Sequence, residues 1–347
     1  MRIALDATYS AGFPLTGVGI YSRQILWGLA SAHPEAKYLF CYRPHRILRS
    51  FESFLPRGAR RWPLLDSVAW SFVDVFHGLN QRLPKARHRR TVATFHDLFV
   101  LTGDYSTPEF RKRFAGQARE CARASDLIIT VSAFTASQVA DLLSFDRSRI
   151  RVIHHGVRHP GPVALRAAAV SREKVILHVG AIQTRKNILR LVRAFESVGP
   201  EWRLALAGSV GYQGDRILAE IERSPRRQDI RVLGYVPEAA LQRLYATASL
   251  LAFPSLDEGF GIPVLDAMAW GVPVLTSNRS SLPEVAGEAA ILADPQNQDE
   301  LTFALRTLTE QEALRRALSE KGVERAAGFS WEKAVEQTWA VYRELLA

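Results

Sequence analysis

Residues Phe253–Ser277 read FPSLDEGFGIPVLDAMAWGVPVLTS, and the fold is decided by the three parts of this stretch. An apolar run enters Pro254 with the composition of a buried strand and ends in a loop carrying Asp257 and Glu258. Gly259, Phe260 and Gly261 follow, a run in which the backbone N–H groups are little covered by bulky side chains. Pro263 suits the first turn of a helix, where its missing N–H has no partner in any case. The predicted helix stops at Gly271, which suits a left-handed cap, and Pro273 opens the next strand, VLTS. A carboxylate therefore stands at the C-terminal edge of a strand, beside a glycine loop and a helix that begins near Ile262. Such an end carries partial positive charge and unpaired donors, which favour phosphate or sugar hydroxyls. The same residues also read as an ordinary strand–loop–helix unit with Glu258 merely exposed.

Outward from this stretch, strand and helix patterns alternate along all 347 residues, which implies parallel sheets and an α/β fold. The first half runs from RIALDAT (2–8) to RIRVIHH (149–155), and GVRHPGP (156–162) reads as a linker. The pattern restarts at EKVILHVGAI (173–182). Two domains follow: residues 1–160, joined by a tail helix at 330–347, and residues 171–329. The tail, SWEKAVEQTWAVYRELL, opens on a Ser cap and places Trp331, Val335, Trp339 and Tyr342 on one side.

Composition narrows the function. The only cysteines are Cys41 and Cys121, without metal-ligand spacing, so a disulfide scaffold is not expected and a reducing, cytoplasmic setting is. The start, MRIALDATYSAG, lacks the apolar stretch of a secretory leader, and no apolar run approaches the roughly 18 residues of a spanning helix. Residues 1–160 hold 23 Lys/Arg against 12 Asp/Glu, while residues 161–347 hold 22 against 23. That asymmetry points to an acidic partner for the first half: nucleic acid, anionic lipid or a phosphorylated acceptor. RPHRILRSFESFLPRGARRW (43–62) reads either as an interfacial amphipathic segment or as a solvated helix with a buried stripe. RLPKARHRR (82–90) is a second basic cluster.

Three further places carry candidate ligand contacts. Gly17 and Gly19 precede a helical pattern, either as a phosphate-approach loop or as a plain helix start. TVATFHDL (91–98) ends a strand at His96, where open α/β sheets put ligand contacts, although the residues alone favour a satisfied structural histidine. Arg185 and Lys186 follow a strand and precede a helix, either poised for phosphate or as a solvated basic pair.

EGFGIPVLDAMAWG resembles the signature of the large retaining glycosyltransferase family with the GT-B fold (glycosyl transferases group 1, family 4), whose motif is Glu, seven residues, Glu. Here Asp266 stands in the second place. FHDL, VGAIQTRKN, the early glycine loop and the tail helix resemble that family too, so the likeness covers nearly the whole chain. It implies two Rossmann-like domains facing a cleft, an N-terminal acceptor domain and a C-terminal donor domain, with the last helix crossing back to the first. It implies that Glu258 and His96 contact the donor sugar, serving chemistry and not folding, and that Asp266 contacts the ribose. Arg185 and Lys186, with Gly17 and Gly19, would take the diphosphate, beside the Gly259–Ile262 loop. Many members carry an Arg after the strand glycine where this chain has Ala181. TGVGIY and the RKN segment are similar to bacterial mannosyltransferases of surface polysaccharide assembly, which makes GDP-mannose the first donor to try.

The leading expectation is thus a retaining hexosyltransferase, mannosyl favoured, acting on a glycan or lipid-linked acceptor. No cofactor is expected beyond the nucleotide-sugar donor, and no metal, since no Asp-x-Asp stands near the donor side. Peripheral contact with an anionic membrane at the inner face is part of this reading. The alternatives are a sugar-nucleotide epimerase of the same fold, a basic protein binding nucleic acid or an anionic surface, and a nicotinamide dehydrogenase. The basic clusters lack the interleaved aromatic platforms of single-strand binders, which disfavours nucleic acid. The dehydrogenase reading lacks its three-glycine fingerprint.

Overall fold

The computed structural model describes residues 1–12, 15–157 and 172–347. Most of the expected linker at 156–162 lies outside them; Gly156 and Val157 are inside. The described residues form two compact units, Met1–Gly156 with Ser330–Ala347, and Val157–Phe329.

The first unit holds a seven-stranded parallel sheet, in the order β3-β2-β1-β4-β5-β6-β7. Its strands are β1 (Arg2–Asp6), β2 (Lys37–Tyr42), β3 (Ala59–Pro63), β4 (Val75–Gly78), β5 (Thr91–Phe95), β6 (Leu127–Thr130) and β7 (Ile150–Val152). The central strands are buried along their whole length and are rich in apolar residues, as parallel strands covered by helices are. β3 corrects the sequence reading of 43–62, which is not one amphipathic segment. It contains a short helix at Pro44–Ile47, a tighter turn at Leu48–Glu52 and the edge strand β3. β3 reads ARRWP, and its proline is tolerated because an edge strand leaves one side without ladder partners.

The tail helix, Trp331–Leu346, belongs to this first unit. Ser330 caps it by accepting the Lys333 N–H at 3.1 Å. Trp331, Val335, Trp339 and Tyr342 enter the same core as Ile3, Tyr21, Ile25 and Leu29. The helix Gly17–Ala32 comes so close that a Cβ at Gly28 would lie 2.4 Å from Val335. A buried polar chain runs beneath. The Tyr342 hydroxyl meets His77 Nδ1 at 2.6 Å, His77 Nε2 meets Thr94 Oγ1 at 2.9 Å, and Thr94 meets the Tyr21 hydroxyl at 2.9 Å. Every member is satisfied, so burying it is affordable. Burial holds the His77 imidazole down at about 3, and it stays neutral.

The second unit holds a six-stranded parallel sheet, in the order β10-β9-β8-β11-β12-β13. Its strands are β8 (Glu173–Val179), β9 (Arg203–Ala207), β10 (Ile230–Gly234), β11 (Ala248–Phe253), β12 (Val274–Ser277) and β13 (Ala290–Ala293). The chain winds outward from β8 to β10, then returns to the other side of β8 with β11. The direction of winding therefore reverses between β8 and β11, and such a switch point opens a crevice at the C-terminal strand ends. Gly271 takes the left-handed conformation its position predicted, at φ +63°.

Close backbone approach at those strand ends makes a sharp test. A Cβ at Gly208, just past β9, would sit 1.9 Å from the Gly180 carbonyl oxygen, an atom that cannot rotate away. Gly116, inside the helix Pro108–Ala124, would meet nothing within 4 Å. Gly208→Ala should lower stability by about 3 kcal/mol, and Gly116→Ala should raise it by about 0.5–1 kcal/mol. Urea midpoints measure both; equal midpoints for the two variants would contradict the packing described.

Candidate active site

The loops after β8 and β11 are tied together at the switch point of the second unit. After β8, Gly180 turns the chain and Thr184–Lys186 forms one tight turn. Asn187, left-handed at φ 57°, then starts the helix Ile188–Phe195, and its side-chain amide donates to the Pro295 carbonyl at 2.6 Å. The Leu256 N–H donates to the Arg185 carbonyl at 2.8 Å, and the Arg185 guanidinium donates to the Asp257 carbonyl at 2.5 Å. From the other side, the Ser281 hydroxyl lies 2.8 Å from the Glu258 carbonyl and 2.9 Å from that of Phe260. The Glu258 N–H donates to Ser280 Oγ at 3.1 Å. The acidic loop is thus braced on both flanks.

Glu258, Arg185 and Lys186 meet within this frame. Lys186 Nζ lies 2.5 Å from Glu258 Oε1, and an Arg185 guanidinium nitrogen lies 3.0 Å from the same oxygen. All three side chains are buried, 10% exposed or less. The Lys186 ammonium also sits over the Phe253 ring, 4.6 Å from its centroid. Gly180 makes the space, since a Cβ there would stand 3.1 Å from Lys186 Cε. Burial pushes the Glu258 pKa up, but the two cations outweigh it and hold the carboxyl at about 2. Two cations share one carboxylate, so the cluster keeps a net positive charge.

The helix Ile262–Ala269 begins directly after this loop, with Gly261 as its left-handed cap at φ 110°. A side chain at Gly261 would also strike Leu282, at 2.7 Å. Phe260 is buried, and Asp266 is buried one turn into the helix. His178 lies within β8, donates to the Ala252 carbonyl at 3.0 Å and stacks on Phe253. Burial lowers its pKa to about 4. Sequence reasoning passed over His178, Phe253, Asn187 and Ser281. A polar residue inside the apolar run VILHVG was the signal for the first; nothing local marks the others.

His96 belongs to the first unit, directly after β5. Its Nε2–H donates to the Leu79 carbonyl at 3.0 Å, so the neutral ring offers Nδ1 as an acceptor. Tyr21 meets it edge-on at 4.7 Å, and His155 lies nearly parallel at 5.6 Å. Burial lowers its pKa to about 4, against the opposing pull of the Leu79 carbonyl. Gly17 starts the helix Gly17–Ala32 and is exposed. Gly19 is buried, and its N–H is taken by the Thr16 cap at 3.3 Å. A Cβ at Gly19 would stand 2.8 Å from the Tyr9 carbonyl, so close packing alone requires glycine there.

Glu258 and His96 are thus buried and bonded, which corrects the expectation that they matter little to folding. Glu258→Gln would leave two buried cations without their carboxylate and should cost about 3 kcal/mol at neutral pH. The folded-state pKa is depressed below the ordinary 4.5, so the carboxylate's contribution is complete above 4.5 and is lost as pH falls towards 2. Melting temperatures of wild type and Glu258→Gln should therefore differ at pH 7, approach one another below 4.5 and converge only below about pH 2. Equal melting at pH 7 would show that the cluster does not hold in solution.

Known proteins share this architecture. Residues 166–325 match the family described as glycosyl transferases group 1, and residues 25–159 match glycosyltransferase family 4. O-antigen chain mannosyltransferase B of Escherichia coli is 33% identical, over 98% of this chain and 99% of its own. A D-inositol 3-phosphate glycosyltransferase of Nocardioides sp. is 28% identical over 99% of this chain and 82% of its own. Among solved structures, sucrose-phosphate synthase from Thermosynechococcus elongatus superposes with a TM-score of 0.80 at 21% identity, covering 99% of each chain. The fold is GT-B, and the chain belongs to the glycosyltransferases of the group 1 family.

Proposed function

We propose that the protein is a retaining hexosyltransferase that moves a mannosyl unit from a nucleotide diphosphate sugar to a glycan or lipid-linked acceptor. The observation that carries this reading is the buried cluster of Arg185, Lys186 and Glu258 at the switch point of the second unit. Its net positive charge suits a diphosphate, and that charge is most useful where the leaving diphosphate gathers negative charge during transfer. In this reading the donor's phosphates take over the two cations, and Glu258, released from them, accepts hydrogen bonds from the sugar. In the ligand-free cluster the two cations hold Glu258 at about 2, so it meets the donor as an unprotonated acceptor. Glu258 is assigned to orienting the sugar and not to the role of nucleophile, and the acceptor hydroxyl is taken to attack on the same face. His96, neutral and with Nδ1 as acceptor, is assigned a further sugar hydroxyl, and Asp266 the ribose. Gly17, Gly19 and the loop Gly259–Ile262 are assigned to the donor as well.

The mannosyl preference draws on the Escherichia coli relative, named as a mannosyltransferase. With two cations serving the diphosphate, no divalent metal is assigned. The second reading, an epimerase of the same fold, would convert the donor to an epimeric sugar nucleotide without any acceptor.

Incubation with GDP-mannose and a mannose-terminated acceptor should release GDP and yield a product whose anomeric proton signal matches the donor's configuration. Inverted configuration, or turnover independent of acceptor, would refute the assignment. Chelator should change the rate by no more than about twofold, well below the several kcal/mol that a catalytic metal contributes; loss restored by magnesium would reverse that point. Lys186→Ala should weaken GDP and GDP-mannose by about tenfold or more while leaving guanosine nearly unaffected. Equal losses for nucleoside and diphosphate in calorimetry would remove Lys186 from the phosphate site.

A further inference from the structure

The crossover from β2 to β3 in the first unit exposes three large apolar side chains within seven residues. Leu48 is 81% exposed, Phe51 66% and Phe54 97%. Leu48 and Phe51 lie on a turn with three residues per repeat, so they share one side, and Phe54 follows just beyond it. Scattered exposed hydrophobics are ordinary, but a cluster on one short projection marks a contact surface.

The surroundings specify the partner. Arg46, Arg49, Arg57, Arg60 and Arg61 flank the three side chains, and Glu52 is the only acid from 44 to 61. Among the described residues none of these five arginines is in an ion pair. Arg43, by contrast, is buried and paired with Asp66 at 2.7 Å and Asp6 at 3.8 Å, so it belongs to the interior. Arg61 has a second task. Its guanidinium donates to the Ser50 carbonyl, at 3.0 and 3.2 Å, and to that of Ser53, and it lies 4.7 Å over the Phe51 ring. The projection is thus braced from β3. The first unit as a whole holds 24 Lys/Arg against 15 Asp/Glu.

We propose that Leu48–Phe54 is an interfacial anchor. It inserts its three apolar side chains among the headgroups of an anionic bilayer, while Arg49, Arg57 and Arg60 meet the lipid phosphates. An apolar tip with a cationic rim is complementary to such a surface, where aliphatic stems stay in the apolar layer and charged heads reach phosphate. A second copy of the same face would set arginine against arginine, which opposes self-association. The anchor shares no residue with the cluster at Glu258, so it stands or falls apart from the transferase reading.

Cys41 and Cys121 are buried, so a Phe54→Cys variant takes a polarity-sensitive dye selectively at the tip. Mixed with vesicles of phosphatidylglycerol and phosphatidylcholine at low salt, the labelled full-length chain should pellet and its emission should shift to the blue. Vesicles of phosphatidylcholine alone should give neither effect. The triple variant Leu48→Ser, Phe51→Ser, Phe54→Ser should keep the wild-type melting temperature and lose partitioning by about tenfold or more. Arg57→Glu with Arg60→Glu, which spares the brace, should abolish pelleting. An unshifted dye on pelleted protein, or a triple variant that pellets like wild type, would overturn the anchor in favour of charge alone. Dimerisation that disappears in the triple variant, with no vesicle binding, would reassign the face to a contact between copies.

Discussion

The pairing of Glu258 with Arg185 and Lys186 joins two loops 72 residues apart, and the arrangement of the second unit's strand ends depends on it. Charges taken from water at such depth persist only if paired and hydrogen-bonded. That demand explains the density of ties around the cluster: backbone to backbone from Leu256 to Arg185, guanidinium to carbonyl at Asp257, and serines on the far flank. It also explains the glycines. Gly180 yields room for the lysine stem, and Gly208 yields room for Gly180. The result is a set of polar groups positioned before any ligand arrives, the condition under which electrostatic stabilisation is strongest.

Local signals were legible in the sequence because local sterics decide them. Gly271 was readable as a left-handed cap, Ser330 as an N-cap, and Pro263 as a first-turn residue, each from chemistry within a few positions. The alternation of strands and helices followed from apolar periodicity in the same way. β3 was not legible, since an edge strand has little apolar burial to show and its arginines mimic a solvated helix. The lysine–glutamate pair was foreseen as two separate ligand contacts and not as partners. Sequence separation hides a contact made only when β11 returns beside β8. His96 lay between two readings, and its bond to the Leu79 carbonyl answers only one of them: the ring has a structural partner and a remaining acceptor atom.

The first unit solves the burial of polar groups differently. Its histidines, His77, His96 and His155, sit neutral in the interior, their pKa values pushed down by burial; His77 is satisfied by two hydroxyls, His96 bonds a carbonyl, and His155 packs against the rings of His96 and Tyr21. No charge is needed for those rings, and the first unit's buried charges are Arg43 and Asp6; the second unit buries Arg185, Lys186, Asp257, Glu258 and Asp266. The contrast matches the surface balance: the first unit carries its positive excess outside, where water and counterions screen it, and the second concentrates charge at one interior point.

The placement of the tail helix orders the birth of the protein. Trp331, Trp339 and Tyr342 complete the core around Ile3 and Tyr21, yet they emerge from the ribosome after every residue of the second unit. The middle of the chain therefore has all its own parts while the first half still waits for seven buried residues of its interior. For the duration of synthesis, the Tyr21–Thr94–His77 chain lacks its final hydroxyl, and the groove beside Gly28 stands open. Nascent protein thus carries an apolar slot that its own tail helix fills, a stage at which chaperones and aggregation compete for it.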